Sequence, residues 1–350
     1  MKISIGTKIK DGPWGGGNLF AINLKNYLKK EGHLVVHDLN HDNIDIILIT
    51  EPRRTSESSA YSDLEVKNYL KFRNYNSIVV HRINECDERK KTNYVNKYLI
   101  NANKTADATV FVSDWLKNLY LNQGLASNNI KTIMSGSDSE IFNNSNLKKW
   151  NKSDVLKIVT HHWGGNWNKG FNIYSKLDKL LNQNQYKNIE FHYIGNIPNN
   201  FKYENMILHN PLSGLQLSDK LKNNHLYITA SLNEPSGNHH IEAAQCGLPI
   251  LYINSGGIPE YCEGYGVTFN EENFEEQLNE IILNYDTHFD NLKNYQFNSL
   301  KMCSEYLLFF EELMSVKDTI LKVRTLQKNE SKYSQSIYNL KYFFKKKFGQ

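Results

Sequence analysis

The sequence predicts an α/β protein built from two doubly wound, Rossmann-like parallel-sheet domains in tandem, facing each other across a cleft and followed by C-terminal helices. Three observations carry this. Short β-branched runs alternate with longer stretches of helical period, the pattern of βαβ units. The alternation stops at a polar, Asn- and Lys-rich passage over 143–153 and then starts again. The chain's 350 residues also exceed one ordinary core, since domains run to roughly 100 to 200 residues.

In the first half, strands are expected at 2–5, 34–37, 45–50, 77–82, 108–112 and 130–134. Amphipathic helices are expected at 19–31, 62–74 and 115–122, the first closed by Gly32, a residue suited to the left-handed position after a helix. In the second half the strands fall at 155–160, 190–194, 226–229 and 249–254, and the helices at 171–181, 215–223, 238–246 and 274–285. A long helical stretch is expected over 289–313, with a further helical tail beyond 316. The division is therefore 1–148 for the first domain, completed by a helix from within 288–315, then 149–287 for the second, and 316–350 for a basic, aromatic tail. In such folds the strand C-termini face the cleft and ligands bind there.

Composition excludes several classes. Hydrophobic residues make up 40% and charged residues 22%, and no run approaches the roughly 18 apolar residues that cross a bilayer. The opening MKISIGTKIK has no apolar stretch of signal-peptide length, so the expectation is a soluble protein that stays in the cytoplasm. Lys+Arg 41 against Asp+Glu 37 gives a net charge of +4, too little for a dedicated nucleic-acid binder, and no nucleic-acid partner is expected. Cys86, Cys246, Cys262 and Cys303 are scattered and form no C-x-x-C pair, which speaks against a zinc site and a disulfide framework. The segment 342–348, YFFKKKF, sets aromatics beside lysines. That suits a helix lying on an anionic membrane surface, where each Lys is worth about 1 kcal/mol, and predicts peripheral association with the inner face of the cell membrane.

The segment richest in chemistry is 234–260, EPSGNHHIEAAQCGLPILYINSGGIPE. Pro235, Ser236 and Gly237 supply a turn ahead of a helix, so the backbone N–H groups of Gly237 and Asn238 stand at a helix N-terminus, where anions and hydroxyl oxygens are favoured. Asn238 and Glu242, four apart, share a helix face, and Glu234 sits on the loop above it. Both carboxylates can then accept hydrogen bonds from the vicinal hydroxyls of a ribose or a hexose. Earlier in the chain, Gly15, Gly16, Gly17 and Asn18 open the first helix directly after the first strand, so the backbone there can approach a diphosphate or an acceptor closely.

The 234–260 string resembles the donor motif of the family-four retaining glycosyltransferases of GT-B fold, the glycosyl transferases group 1: two Glu separated by seven residues, continued here by Ala243, Gly247, Leu248, Pro249 and Gly256 to Glu260. The resemblance implies that Glu234 contacts the transferred sugar and Glu242 the ribose, with the second domain holding the nucleotide sugar and the first facing the acceptor. In the loop 161–171, HHWGGNWNKGF, Lys169 and Gly170 match the family's diphosphate-binding lysine. The family's partner Arg is missing, and Trp163, Gly164 and Gly165 stand in its place. His162 is a candidate to share the diphosphate with Lys169. His81 and Arg82, at the end of a strand, compete for the cleft-facing role in which the family often uses a His near the sugar, and strand alternation lets only one of them face it. Ser135, in 135–138, stands where the family usually has Asn.

The candidate catalytic residues are thus Glu234, Lys169 and His81. The candidate donor-binding residues are Gly16, Gly17, His162, Lys169, Glu234, Gly237, Asn238 and Glu242, and Asn18, Arg82 and Asn84 are candidates on the acceptor side. Lys169 and the amides near Gly16, Gly17 and Gly237 are expected to stabilise the leaving diphosphate. A phosphate oxygen takes the acceptor proton in retaining enzymes of this kind, so no protein base is required. The resemblance implies no metal and no cofactor beyond the nucleotide-sugar co-substrate, and the missing D-x-D pattern near a strand end is consistent with it. The expected function is transfer of a sugar from a nucleotide-diphosphate sugar to a saccharide or lipid-linked acceptor in cell-surface polysaccharide synthesis. The alternative is a non-catalytic subunit of the same fold that binds or stabilises a partner glycosyltransferase, suggested by the missing Arg and by Ser135.

Overall fold

Two six-stranded sheets carry the chain, and the paired strands run parallel in both. The computed structural model describes residues 1–10, 15–127, 129–326, 336 and 338–340. The first sheet contains β1 (Lys2–Ile5), β2 (Leu34–Val36), β3 (Ile46–Ile49), β4 (Ile78–Ile83), β5 (Ala108–Phe111) and β6 (Ile130–Thr132), in the order β2-β1-β3-β4-β5-β6. The second contains β7 (Leu156–His162), β8 (Ile189–Gly195), β9 (Ile207–His209), β10 (Leu226–Thr229), β11 (Ile250–Ile253) and β12 (Gly266–Phe269), in the order β12-β11-β10-β7-β8-β9. In each sheet the strand order reverses beside the first strand, between β1 and β3 and between β7 and β10. The loops leaving those pairs diverge, and a crevice opens at the strands' C-terminal ends.

Side-chain alternation makes both faces of the first sheet apolar. Ile46, Leu48, Ile78 and Val80 face one side, packing with Phe20 and Leu24 of the helix Gly16–Lys30. Ile47, Ile49 and Val79 face the other, against Val66, Tyr69 and Leu70 of the helix Asp63–Phe72. That second helix begins at a capping box, with Ser62 and Glu65 satisfying each other's backbone N–H groups. Ser113 caps the helix Asp114–Asn122 by accepting from the Leu116 N–H.

The continuous helix expected over 289–313 is broken. The helix Tyr285–Asn291 ends first, and the helix Ser299–Ser315 starts afresh at Asn298, whose side chain accepts from the Lys301 N–H at 2.9 Å. The crossing is pinned by the Ser299 N–H to the Ser137 carbonyl at 2.8 Å. Gly136 passes so close to the Asn298 backbone that a Cβ has no room. From there the helix buries Met302, Tyr306, Phe309, Phe310 and Leu313 on the first sheet.

After the short helix Lys317–Val323 the chain clasps the sheet again through Arg324. Its guanidinium gives Asp107 two hydrogen bonds, 2.8 and 2.6 Å, and also donates to the Ser77 carbonyl at 2.7 Å and to the Tyr75 carbonyl. Both side chains of the pair are only 4% exposed. Removing one member of such a pair leaves the other charge buried alone, at about 3 to 5 kcal/mol. Arg324→Ala should therefore lower the unfolding free energy by that amount, read as a fall in the urea midpoint at an unchanged m-value, and a midpoint within experimental error of wild type refutes the clasp.

The segment 342–348 lies outside the described residues. Among the described residues no helix is long and apolar enough to cross a membrane.

Candidate functional site

The loop after β7 closes in the turn Trp167–Lys169 and then meets Gly170, whose φ of 96° suits glycine and whose α-carbon lies against Ala230. This contact brings the loop beside the segment following β10, where the Leu232 N–H donates to the Asn168 carbonyl at 2.8 Å. Glu234 follows, 4% exposed. Its Oε1 is paired with Lys169 Nζ, and its Oε2 accepts from Arg89 Nε at 2.8 Å. Burial alone lifts the Glu234 carboxyl, but the two cations outweigh it and hold its pKa at about 2. Around these residues lies a cavity of about 420 Å³, at the β7/β10 switch point, bounded by Arg89, Lys90, Lys91, Trp167, Lys169 and Glu234. Four cations line it; Arg89 and Lys169 pair with Glu234 and Lys90 with Glu85, which leaves an excess of positive charge suited to an anion.

Glu242, 6% exposed, lies one turn into the helix Asn238–Gln245 and is held by His161 Nε2 at 2.9 Å. Gly237, with φ 76°, precedes that helix, packed against His239 and His240. Across the cleft the first-domain helix begins at Gly16, and a Cβ there falls 3.0 Å from the Asn238 amide nitrogen, so the two helix N-termini face each other. Gly16, Lys169 and the segment from Glu234 to Asn238, far apart in sequence, thus belong to one interdomain region.

Two placements differ from the sequence reading. His162 was expected in the diphosphate loop, yet β7 runs through both His161 and His162, so the rings point to opposite faces. His161 takes Glu242, while His162, 3% exposed, turns inward and meets the Tyr174 hydroxyl at 2.8 Å. Burial, then the charges of Lys169 and His161, holds the His162 pKa well below the ordinary value. His81 was expected near the sugar. It points to the Val79 face of β4 instead, fully buried, with Nδ1 at 2.9 Å from Asn103 Oδ1. Burial drives its pKa down to about 4. Arg82, on the opposite face, is the one that reaches a cavity. This second cavity, of about 290 Å³, lies at the β1/β3 switch point and is also lined by Gly17, Asn18 and Asn84. Asn18 anchors its wall by exchanging hydrogen bonds with the Lys10 backbone at 3.0 and 2.8 Å.

Arg89 is the site residue that sequence reasoning passed over. It stands in the four-residue helix Asp87–Lys90 of the first domain, 145 positions before the glutamate it contacts. Where the second-domain Arg was sought, Trp163 is 57% exposed and Gly165 is wedged against the Ile197 backbone. The only local signal was the cationic run Arg89, Lys90, Lys91 just past a strand C-terminus.

Two tandem parallel-sheet domains, each with a cavity at its switch point, define a two-domain α/β protein of GT-B fold. Residues 145–296 match the family described as glycosyl transferases group 1. The phosphatidylinositol N-acetylglucosaminyltransferase gpi3 subunit of Schizosaccharomyces pombe is 32% identical over 76 residues, a stretch covering 21% of this chain and only 17% of that relative. Among solved structures, the catalytic domain of starch synthase IV from Arabidopsis thaliana, bound to ADP and acarbose, superposes with a TM-score of 0.65 at 11% identity, covering 90% of this chain and 99% of that one. HepE of Anabaena, in complex with UDP and glucose, gives 0.63 at 14% identity over 89% of this chain and all of its own, 100%. Sucrose-phosphate synthase from Thermosynechococcus elongatus gives 0.60 at 13% identity over 90% and 98%. At these identities the likeness is one of fold.

Proposed function

We propose that the protein is a retaining glycosyltransferase that moves a sugar from a nucleotide-diphosphate sugar to a saccharide or lipid-linked acceptor in cell-surface polysaccharide synthesis. One observation carries it: Glu234 is clamped between Lys169 of one domain and Arg89 of the other, at the switch-point cavity. The carboxylate sits against the two cations that a diphosphate would engage. When a donor enters, its phosphates take the two cations and release Glu234 to accept hydrogen bonds from the sugar hydroxyls. Glu242, oriented by His161, is positioned for the ribose. As the sugar–phosphate bond breaks, negative charge grows on the leaving oxygen. Lys169, Arg89 and the amides at the helix N-termini stabilise it before any solvent reorganises. The acceptor oxygen bonds to the anomeric carbon as the sugar–phosphate bond breaks, and the departing phosphate accepts the proton that the hydroxyl loses, with no metal or cofactor taking part. The group 1 match supports transfer, and the relatives solved with UDP or ADP support a nucleoside diphosphate as the leaving group.

A panel of UDP-, GDP- and ADP-sugars tests this by thermal shift. A donor at a hundredfold excess over its Kd should add about 2.7 kcal/mol of stability, and Glu242→Gln should remove most of that gain. No shift with any donor sinks the reading. Gly164 and Gly165, standing where the family has its diphosphate Arg, favour a second reading as a non-catalytic subunit. That reading gains if donors bind but no acceptor ever provokes nucleotide release.

A further inference from the structure

We propose that the cavity at the switch point of the first sheet holds the acceptor by a negative group, so that the acceptor is an anionic saccharide carrying a phosphate or a carboxylate. This rests on the transferase reading above and names the substrate class of its second site. The position is right: Thr7 and Lys8 follow β1, Thr50 and Glu51 follow β3, and Arg89 and Lys90 line this cavity and the donor cavity alike. A molecule seated here meets the reacting end of the donor.

The charges then decide what kind of molecule. Six cations line the cavity: Lys8, Lys10, Arg53, Arg82, Arg89 and Lys90. Four are neutralised by carboxylates, Lys10 by Glu57, Arg53 by Glu51 and Glu85, Lys90 by Glu85 and Arg89 by Glu234. Among the described residues Lys8 and Arg82 take part in no ion pair. Lys8 is exposed at the rim. Arg82 is only 5% exposed, its guanidinium carbon lies 4.0 Å from the centre of the Phe20 ring, and its Nε has no hydrogen-bond partner among the described residues. Burial presses its pKa down against the opposing pull of Tyr306 and Tyr261. Tyr306 is the polar side chain beside this guanidinium, and with no carboxylate paired to it among the described residues an oxyanion from a ligand completes it. Neutral sugars are ordinarily gripped by carboxylates and amides, and here the carboxylates are already engaged.

Inorganic phosphate, titrated into the full chain and followed by phosphorus NMR, tests the site without any donor. The expected result is saturable binding that survives Lys169→Ala and weakens about tenfold or more in both Lys8→Ala and Arg82→Lys. Lys8 is a surface residue and Arg82→Lys keeps the buried charge, so loss of binding in both does not come from unfolding; circular dichroism checks this. Glucose 6-phosphate or glucuronate should then displace the phosphate, the tighter of the two naming the anion, while glucose should not. Absence of phosphate binding, binding that vanishes in Lys169→Ala but ignores the other two variants, or displacement by glucose or by none of the three sugars overturns the proposal. The thermal-shift panel with donors reads the other cavity. Its failure condemns the transferase reading separately, and success there with failure here leaves a transferase whose acceptor is neutral.

Discussion

Lys169→Ala should slow donor turnover, read as nucleoside diphosphate released at saturating donor, by about a hundred- to a thousandfold, the size of effect seen when one preorganised donor to a developing oxyanion is removed. The loss belongs in kcat more than in KM, because charge on the leaving phosphate is greatest in the transition state. Glu234→Gln provides the contrast. Its carboxylate occupies the two cations that a diphosphate would engage in the proposed reaction, with Oε2 at 2.8 Å from Arg89 Nε and Oε1 against Lys169 Nζ. Neutralising it should let free nucleoside diphosphate bind more tightly while transfer falls, since the sugar hydroxyls lose their ionised acceptor. Lys169→Ala should weaken the same ligand. The two variants thus move diphosphate affinity in opposite directions, and affinity falling in both refutes the exchange of a carboxylate for a diphosphate at these cations. Arg89→Ala completes the test: because it adds the first domain's share of the positive charge, its effect on diphosphate affinity should match that of Lys169→Ala in sign.

What the sequence made legible here was local. The turn before the Asn238 helix, the spacing of Glu234 and Glu242 and the glycines at the start of the first helix all act within a few residues, so their order in the chain is their order in the fold. What escaped was set by contacts between distant segments. Arg89 reaches Glu234 only when the two domains meet. Periodicity put His81 and Arg82 on opposite faces without telling which face meets the cleft, and packing on Phe20 and Tyr306 settles it for Arg82. β7 reads as too short from sequence because His161 and His162 look like loop residues, yet their hydrogen bonds to Glu242 and Tyr174 make a polar strand end tolerable. The helix Val95–Asn103 has no capping side chain and buries Asn96 and Asn103, which bond Asp87 and His81, so its pattern is too polar to announce itself. β9 and β12 are edge strands, the first with two of its three residues exposed, and carry little of the alternation that marks a strand inside a sheet.

Mild acid should unfold the protein well before its carboxylates titrate. Four imidazoles, His81, His162, His239 and His240, are buried, at no more than 9% exposure. Burial holds each in its neutral form, with pKa values at about 4 for His81, about 3 for His240 and well below ordinary for His162 and His239. An unfolded chain protonates the same rings near 6.5. Between that value and the depressed folded ones the unfolded state therefore binds protons that the native state refuses, and stability falls as pH falls, by about 1.4 kcal/mol per unit for each ring. The four losses add, so the fold weakens at a pH well above the range in which the carboxylates titrate. Glu234 works in the same direction lower down, its contribution being lost as pH drops from the ordinary carboxyl value towards about 2. Unfolding free energies from urea curves between pH 7.5 and 5 should decline with a slope of at least four protons near the acid end, since burial also holds His37, His192, His209, His225 and His288 below the ordinary value. His240 has no hydrogen bond on either ring nitrogen and packs edge-on to His239 at 4.9 Å, so His240→Phe should remove one proton from that slope and raise stability at pH 5 more than at pH 7.5. A midpoint independent of pH over this range means that the rings are hydrated or charged in the folded state, and the packing beneath Glu234 is then looser than these contacts describe.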